Sequence, residues 1–321
     1  MAVYTEVTDE DMAAFLEGYD LGGLLSCKGI AEGVENSNYL LHCEAGFFIL
    51  TLYERRVAEA DLPFFLGLME HLAERRITCP QPVKNRKGVA LGRLAGRPAV
   101  IVTFLDGIAV RRPVAQHCAM IGEGLARLHD AGSDFTITRA NALSVDGWEP
   151  LFRAAEMRAD NVLPGLAVAI ADELSYLERH WPKHLPSGVI HADLFPDNAF
   201  FLGGKLSGVI DFYFACNDMF AYDIAICLNA WCFEPDMSFN ITKGMALLDG
   251  YQRIRPLTVE ESEALPLLAR GAALRFLLTR LVDWLNVPEG ALVRPKDPIE
   301  YVKKLRFHQQ AQSARDYGLL K

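Results

Sequence analysis

The hydrophobic pattern along the chain changes character about a third of the way in. Residues 8–11, with Thr8 followed three places later by Asp11, resemble a capping box with Asp in the usual Glu or Gln position, and they open a short amphipathic helix through Met12, Phe15 and Leu16. Strand-like runs follow at 26–31, 37–43 and 47–53, with residues 44–46 as a tight connection between the last two. Leu62, Phe65, Leu66, Met69 and Leu72 then recur at helical spacing, and the prolines at 80 and 82 stop that helix. Two more strand candidates occupy 88–94 and 98–104. Beyond Pro113 helical patterns dominate, at 114–131, 166–181, 221–233, 241–254, 259–285 and 299–312, interrupted by one short β patch at 187–212. The pattern predicts an α+β chain of two lobes: a small antiparallel-sheet lobe over 1–105 and a larger, mainly helical lobe over 106–321.

Composition adds exclusions. With 321 residues, 51% hydrophobic and 23% charged, the chain has the balance of a globular protein and is long enough for about two cores at ~150 residues each. A net charge of −9 with no basic block argues against duplex nucleic acid as a partner. The seven cysteines are scattered without a C-x-x-C pair, fitting buried thiols in a reducing compartment. An acidic N-terminal stretch and the lack of any apolar run of ~18 residues predict a cytoplasmic protein without a membrane partner.

The chemistry concentrates in the β patch. The run GVIHADLFPDNAF (188–200) is an apolar strand entering a polar loop; a hairpin follows, and Asp211 ends it. If Gly203, Gly204 and Lys205 form the turn, Asn198 faces Ile210 and lies beside Asp211. An amide oxygen and a carboxylate at one end are hard ligands suited to Mg²⁺, which also keeps waters and phosphate oxygens. Asp193 precedes Asn198 in the same loop and is placed to orient a hydroxyl and take its proton. The spacing H-x-D-x-x-x-x-N followed by a strand-end Asp matches a kinase catalytic loop and its metal-binding Asp. His191, grouped with Asp193 in the catalytic set, is expected to brace the loop backbone. Asp223, opening an apolar helix, is either a helix cap or a support beneath the loop, whereas Asp197 and Asp218 read as structural.

The remaining nucleotide contacts are less sharply written. Between the first two strands, residues 29–39 carry Gly33 and the side chains of Ser37 and Asn38, which can donate to phosphate oxygens. Thr51 stands where a kinase strand normally presents a phosphate-pairing lysine; Lys28, Arg55 and Arg56 are the cations nearest in sequence, and Glu59 and Glu70 the nearest acids of the following helix. The run from Thr103 to Leu105 would offer its backbone to adenine.

On the segments GVENSNY (33–39), FILTLYE (48–54), LPFFLGLMEHL (62–72), VIHADLFPDN (189–198), VIDF (209–212) and RGAALRFLLTR (270–280), the chain resembles the aminoglycoside-phosphotransferase-like kinases over nearly its entire length. Within them it is most similar to the subgroup acting on homoserine. The resemblance implies a protein-kinase-like fold and transfer of the ATP γ-phosphate, with Mg²⁺, to the side-chain hydroxyl of L-homoserine in threonine biosynthesis. By the same analogy Asp193 is the base, and Asn198 and Asp211 hold the metal. Ala192 departs from the wider pattern, where Gly is frequent, and Thr51 replaces the lysine, a change that the subgroup shares. For a zwitterionic acceptor, Arg280 and Asp283 on one face of an apolar helix that also carries Arg275 are the candidate contacts, with Asn229 and Trp231 beside them. A salt bridge internal to the helical lobe is the alternative for the charged residues. An aminoglycoside or choline-like acceptor, or a nucleotide-binding pseudokinase, are the alternatives for the whole chain.

Overall fold

The computed structural model describes residues 5–30, 36–54, 57–287 and 295–319. By internal contacts the chain divides into two units. The first holds residues 1–106 and 208–213; the second holds 107–207 and 214–321.

The first unit opens with α1 (Asp9–Leu16), capped by the Thr8 hydroxyl, which accepts from the Asp11 N–H at 3.1 Å. Strands β1 (Leu24–Ile30), β2 (Ser37–Cys43) and β3 (Gly46–Leu52) form an antiparallel meander. With β4 (Gly92–Leu94) and β5 (Arg97–Thr103) the sheet runs β1-β2-β3-β5-β4. Strict alternation along β2 sends Ser37, Tyr39, Leu41 and Cys43 to one buried face. There they join Met12 and Leu16 of α1 with Leu50, Leu52, Ala99 and Ile101. Helix α2 (Leu62–Glu74) follows with Pro63 in its first turn. The strand expected at 88–94 is shortened because Asn85 diverts the chain: its side-chain oxygen accepts from the N–H groups of Lys87 and Val89, and its own N–H bonds the Val89 carbonyl.

The second unit contains β6 (Ile108–Ala109), α3 (Ala115–Ala131), α4 (Val145–Ala159), α5 (Leu166–His180) and β7 (Ser187–Ile190). It continues through β8 (Ala199–Leu202), β9 (Lys205–Val209, whose last two residues group with the first unit) and β10 (Cys216–Met219) to α6 (Phe220–Trp231), α7 (Ile241–Gln252), α8 (Val259–Leu285) and α9 (Ile299–Gln310). Three of these elements escape the sequence pattern: the two-residue β6, α4 and β10. Helix α4 carries Pro150, which reads as a breaker, yet Trp148, Phe152, Ala155 and Ala159 form a buried stripe that outweighs one missing N–H. Strand β10 is the polar run CNDM; it pairs antiparallel with β7, setting Cys216 opposite Ile190.

Helices α3 and α7 pack through glycine. A Cβ on Gly122 would stand 2.0 Å from the Leu247 carbonyl oxygen, and one on Gly250 would stand 2.2 Å from that of Ala119. The close approach brings His129 of α3 to Tyr251 of α7, the base of the network described next.

Candidate active site

Strand β7 is buried at Val189 and Ile190 and delivers the chain to His191. The backbone then turns through Ala192 at φ +62°, a left-handed conformation that an L side chain enters at a cost. Side chains from three helices hold the turn. Asp223, fully buried in the first turn of α6, accepts from the His191 N–H at 2.8 Å and the Ala192 N–H at 2.9 Å. Arg275 of α8 donates through Nη1 to the Ala192 carbonyl. His129 places Nε2 3.1 Å from the Asp223 carboxylate and Nδ1 2.7 Å from the Tyr251 hydroxyl. One residue past Asp193, Trp231 Nε1 donates to the Leu194 carbonyl at 2.7 Å.

The electrostatics follow from burial and donors. Burial alone pushes the Asp223 carboxyl up, but the hydrogen bond donated by His129, with that of the His191 backbone N–H, outweighs it and holds the group below its ordinary value. Burial likewise drives His129 down, and Asp223 offsets only part of that. We therefore take His129 as neutral, donating from Nε2 to Asp223 and accepting the Tyr251 hydroxyl at Nδ1.

Asp193 emerges from this braced turn partly exposed. Its N–H donates to His191 Nδ1 at 3.2 Å, so the His191 ring, itself fully buried, faces the loop backbone and not a reactant; grouping it with the catalytic residues is corrected to a positioning role. Asn198 Nδ2 donates to the Asp193 carbonyl at 2.8 Å and to its Oδ2 at 3.2 Å. That orientation turns the Asn198 amide oxygen away from Asp193, and an outward amide oxygen is a hard donor of the kind Mg²⁺ takes. The hairpin turn is two residues, Gly203 and Gly204, both left-handed at φ +58° and +76°, and not the expected three. The count that set Asn198 opposite Ile210 therefore shifts by one residue.

Asp211 belongs to the first unit. It is held at φ +66° beside a tyrosine pair: Tyr53 donates to the Tyr213 hydroxyl at 3.0 Å. Burial first, then the neighbouring hydroxyl and the Asp211 charge, keeps Tyr53 well above its ordinary value. Tyr213 also bonds Thr51. Thr51 is buried and donates to Asn38 Oδ1 at 2.8 Å, so these two residues of the expected phosphate site engage each other. Ser37 is corrected more firmly. It lies on the buried face of β2, donating to Glu54 at 2.7 Å and accepting the Thr5 N–H at 3.0 Å, which takes its hydroxyl away from any phosphate. Gly33, Arg55 and Arg56 lie outside the described residues, and Lys28 is exposed on β1. The Thr103 backbone exchanges bonds with Gln81: its N–H donates to the Gln81 carbonyl at 2.9 Å, and its hydroxyl accepts the Gln81 N–H at 3.0 Å. An adenine contact from this run would therefore fall to residues 104 and 105.

The expected acceptor residues separate. Asn229 is fully buried, Nδ2 donating to the carbonyls of Ala225 and Ala269 while Oδ1 lies 3.1 Å from His308 Nε2; it ties the core together and does not line a pocket. Arg280 pairs with Glu300 of α9 at 2.5 Å, and its guanidinium lies 4.5 Å from the Tyr301 ring centre. Asp283 is half-buried in the last turn of α8. Tyr301 is the residue that sequence reasoning missed here. Its buried hydroxyl has no hydrogen-bond partner among the described residues; burial raises its pKa, and the charges of Arg280, Glu300 and Asp193 act on it. Among the described residues no group of three or more His, Cys, Asp or Glu could hold a metal unaided.

Comparison with known proteins places this arrangement. The model of the phosphotransferase enzyme family matches residues 26–257. The chain is 69% identical over 319 residues to the homoserine kinase of Xanthobacter autotrophicus, covering 99% of each, and 69% identical over 321 residues to that of Bradyrhizobium diazoefficiens, covering 100% of this chain and 98% of the relative. Among solved structures it is similar to an amicoumacin kinase in complex with AMP-PNP, Ca²⁺ and Ami (TM-score 0.69, 17% identity, 94% and 93% coverage). A choline kinase from Cryptosporidium parvum matches with TM-score 0.69 at 12% identity, over 94% and 95% of the two chains. These structures share the protein-kinase-like fold. With a full-length identity of that size, the chain belongs to the phosphotransferase enzyme family and, within it, to the homoserine kinases.

Proposed function

We infer that the protein transfers the γ-phosphoryl group of ATP to the side-chain hydroxyl of L-homoserine, giving O-phospho-L-homoserine and ADP in threonine biosynthesis. The observation that carries the mechanism is the turn at residues 191–194, whose backbone is fixed by Asp223, Arg275, His191 and Trp231 so that Asp193 is partly exposed while its neighbours His191, Ala192 and Leu194 are buried. In our reading that carboxylate accepts the acceptor's proton as the hydroxyl oxygen attacks the γ-phosphorus and the bond to the bridging oxygen of ADP breaks. Asn198 holds Oδ2 in place, so the base needs no reorganisation.

The reaction uses ATP with Mg²⁺. Asn198 through its amide oxygen and Asp211 through its carboxylate are the proposed protein ligands, and a set this small suits an ion that keeps waters and phosphate oxygens. When bound, the ion neutralises charge on the transferring phosphoryl group. The acceptor carboxylate is assigned to Arg280, whose Glu300 contact engages one guanidinium nitrogen, with the unpartnered Tyr301 hydroxyl beside it. Among the described residues no helix is long and apolar enough to cross a membrane. All seven cysteines are free thiols and six are buried, which supports a cytoplasmic setting.

The test is an acceptor panel: ADP release coupled to homoserine against release with choline and kanamycin. Release is expected to be far faster with homoserine, and the opposite ranking would remove the substrate assignment.

A further inference from the structure

Arg275 is a buried cation whose part in the site is its grip on the catalytic turn. It is 2% exposed, its Nε has no hydrogen-bond partner, and no carboxylate pairs with it among the described residues. Its planar head is covered by Phe276, 4.4 Å to the ring centre, and Phe214, at 5.6 Å. Burying such a charge is unfavourable, and a packed apolar residue of similar volume would serve stability as well or better. Among the described residues the side chain's one hydrogen bond runs to the Ala192 carbonyl, on the residue at φ +62° immediately before Asp193.

We propose that Arg275 is a positioning residue for phosphoryl transfer: by holding the Ala192 carbonyl while Asp223 holds the N–H groups of His191 and Ala192, it locks the left-handed turn that aims Asp193. The two anchors grip opposite edges of one strained residue, Asp223 from the nitrogen side and Arg275 from the oxygen side. Strain of this kind persists only where the surroundings over-determine it. Without Arg275 the peptide between Ala192 and Asp193 is free to rotate toward an ordinary conformation, swinging the carboxylate away from the acceptor. A glycine at 192 has no Cβ to clash in the left-handed region, so it should lessen the dependence on the arginine.

The proposal rests on Asp193 being the base and is tested by a double-mutant cycle on the full chain. Arg275→Lys and Arg275→Met are each made with Ala192 and with Ala192→Gly, and every protein is checked for folding by thermal unfolding. With Ala192, kcat should fall in the order arginine, lysine, methionine, the last by roughly 10- to 100-fold, while KM for ATP changes by less than about threefold. Whatever Ala192→Gly does in the Arg275 background, it should raise kcat of the arginine variants by at least about threefold relative to that effect. Folded Arg275→Met with wild-type kcat overturns the proposal, as does a glycine effect equal in all backgrounds. If the methionine protein does not fold, the lysine pair decides by the same coupling. Asp193→Asn, run in parallel, separates the two failures: wild-type turnover there removes the base assignment, whereas an inactive Asp193→Asn without coupling at 275 removes only the positioning role.

Discussion

The Asp223 carboxylate reaches across to Ala192 and accepts its backbone N–H at Oδ1, 2.9 Å away, while Oδ2 takes the N–H of His191 at 2.8 Å. Asp223→Ala should therefore leave two buried backbone donors and His129 without their acceptor. We expect a loss of about 3–5 kcal/mol in urea unfolding together with loss of turnover. Asp223→Asn, which puts an NH₂ against one of those donors, should restore little of either. A variant of wild-type stability would show that the turn is held some other way.

Asn229 provides a contrast, because its burial assigns it to the core. Asn229→Ala removes bonds to two carbonyls and to His308 and should destabilise by about 2–4 kcal/mol. In the folded fraction, KM for homoserine should stay within about twofold of wild type. A large rise in KM with unchanged stability would return Asn229 to the acceptor pocket.

A pH dependence follows from His308, fully buried between the Tyr317 hydroxyl and the Asn229 amide. Burial, reinforced by the charges of Lys304 and Arg270, lowers its pKa to about 3. The unfolded histidine, near ~6.5, takes up a proton before the folded one does, so the unfolded state binds more protons between those values. The contribution is present in full above ~6.5 and declines as pH falls toward 3, with about 2 kcal/mol of it lost by pH 5. His129, also lowered, acts in the same direction. Urea midpoints measured from pH 8 to pH 5 should fall, and His308→Gln should flatten the slope. A slope unchanged in that variant would contradict the account.

Metal dependence tests the two proposed ligands. Asn198→Ala and Asp211→Asn should each raise the Mg²⁺ concentration for half-maximal activity by at least about tenfold, with kcat at saturating Mg²⁺ reduced more by the Asp211 change because a charge is lost. An unaltered Mg²⁺ requirement in both would remove the assignment.

What the sequence disclosed depended on whether a residue's role was local. Spacing within one loop singled out Asp193 and Asn198, which lie in hydrogen-bond contact, and alternation in β2 marks its buried face. Long-range partners were hidden. Arg275 and Ala192 are 83 residues apart, and nothing in an apolar helix says which carbonyl its arginine meets. Ser37 looked like a phosphate donor because it follows a glycine-bearing loop, yet strand parity turns it toward Glu54. Strand β10 was illegible because its stability comes from pairing with β7 and not from apolar residues. Tyr301 carried no signal at all, since its significance lies in a hydroxyl without a hydrogen-bond partner among the described residues.

The central claim is that Asp193 serves as the base, with Asp223 and Arg275 fixing its position and Asn198 holding its Oδ2 while offering its own amide oxygen to the metal. Single-turnover phosphorylation of homoserine by Asp193→Asn, measured beside ATP binding to the same protein, tests it most directly. The account predicts transfer slowed by about 10²–10⁴-fold with ATP affinity essentially unchanged. Transfer at the wild-type rate would contradict it.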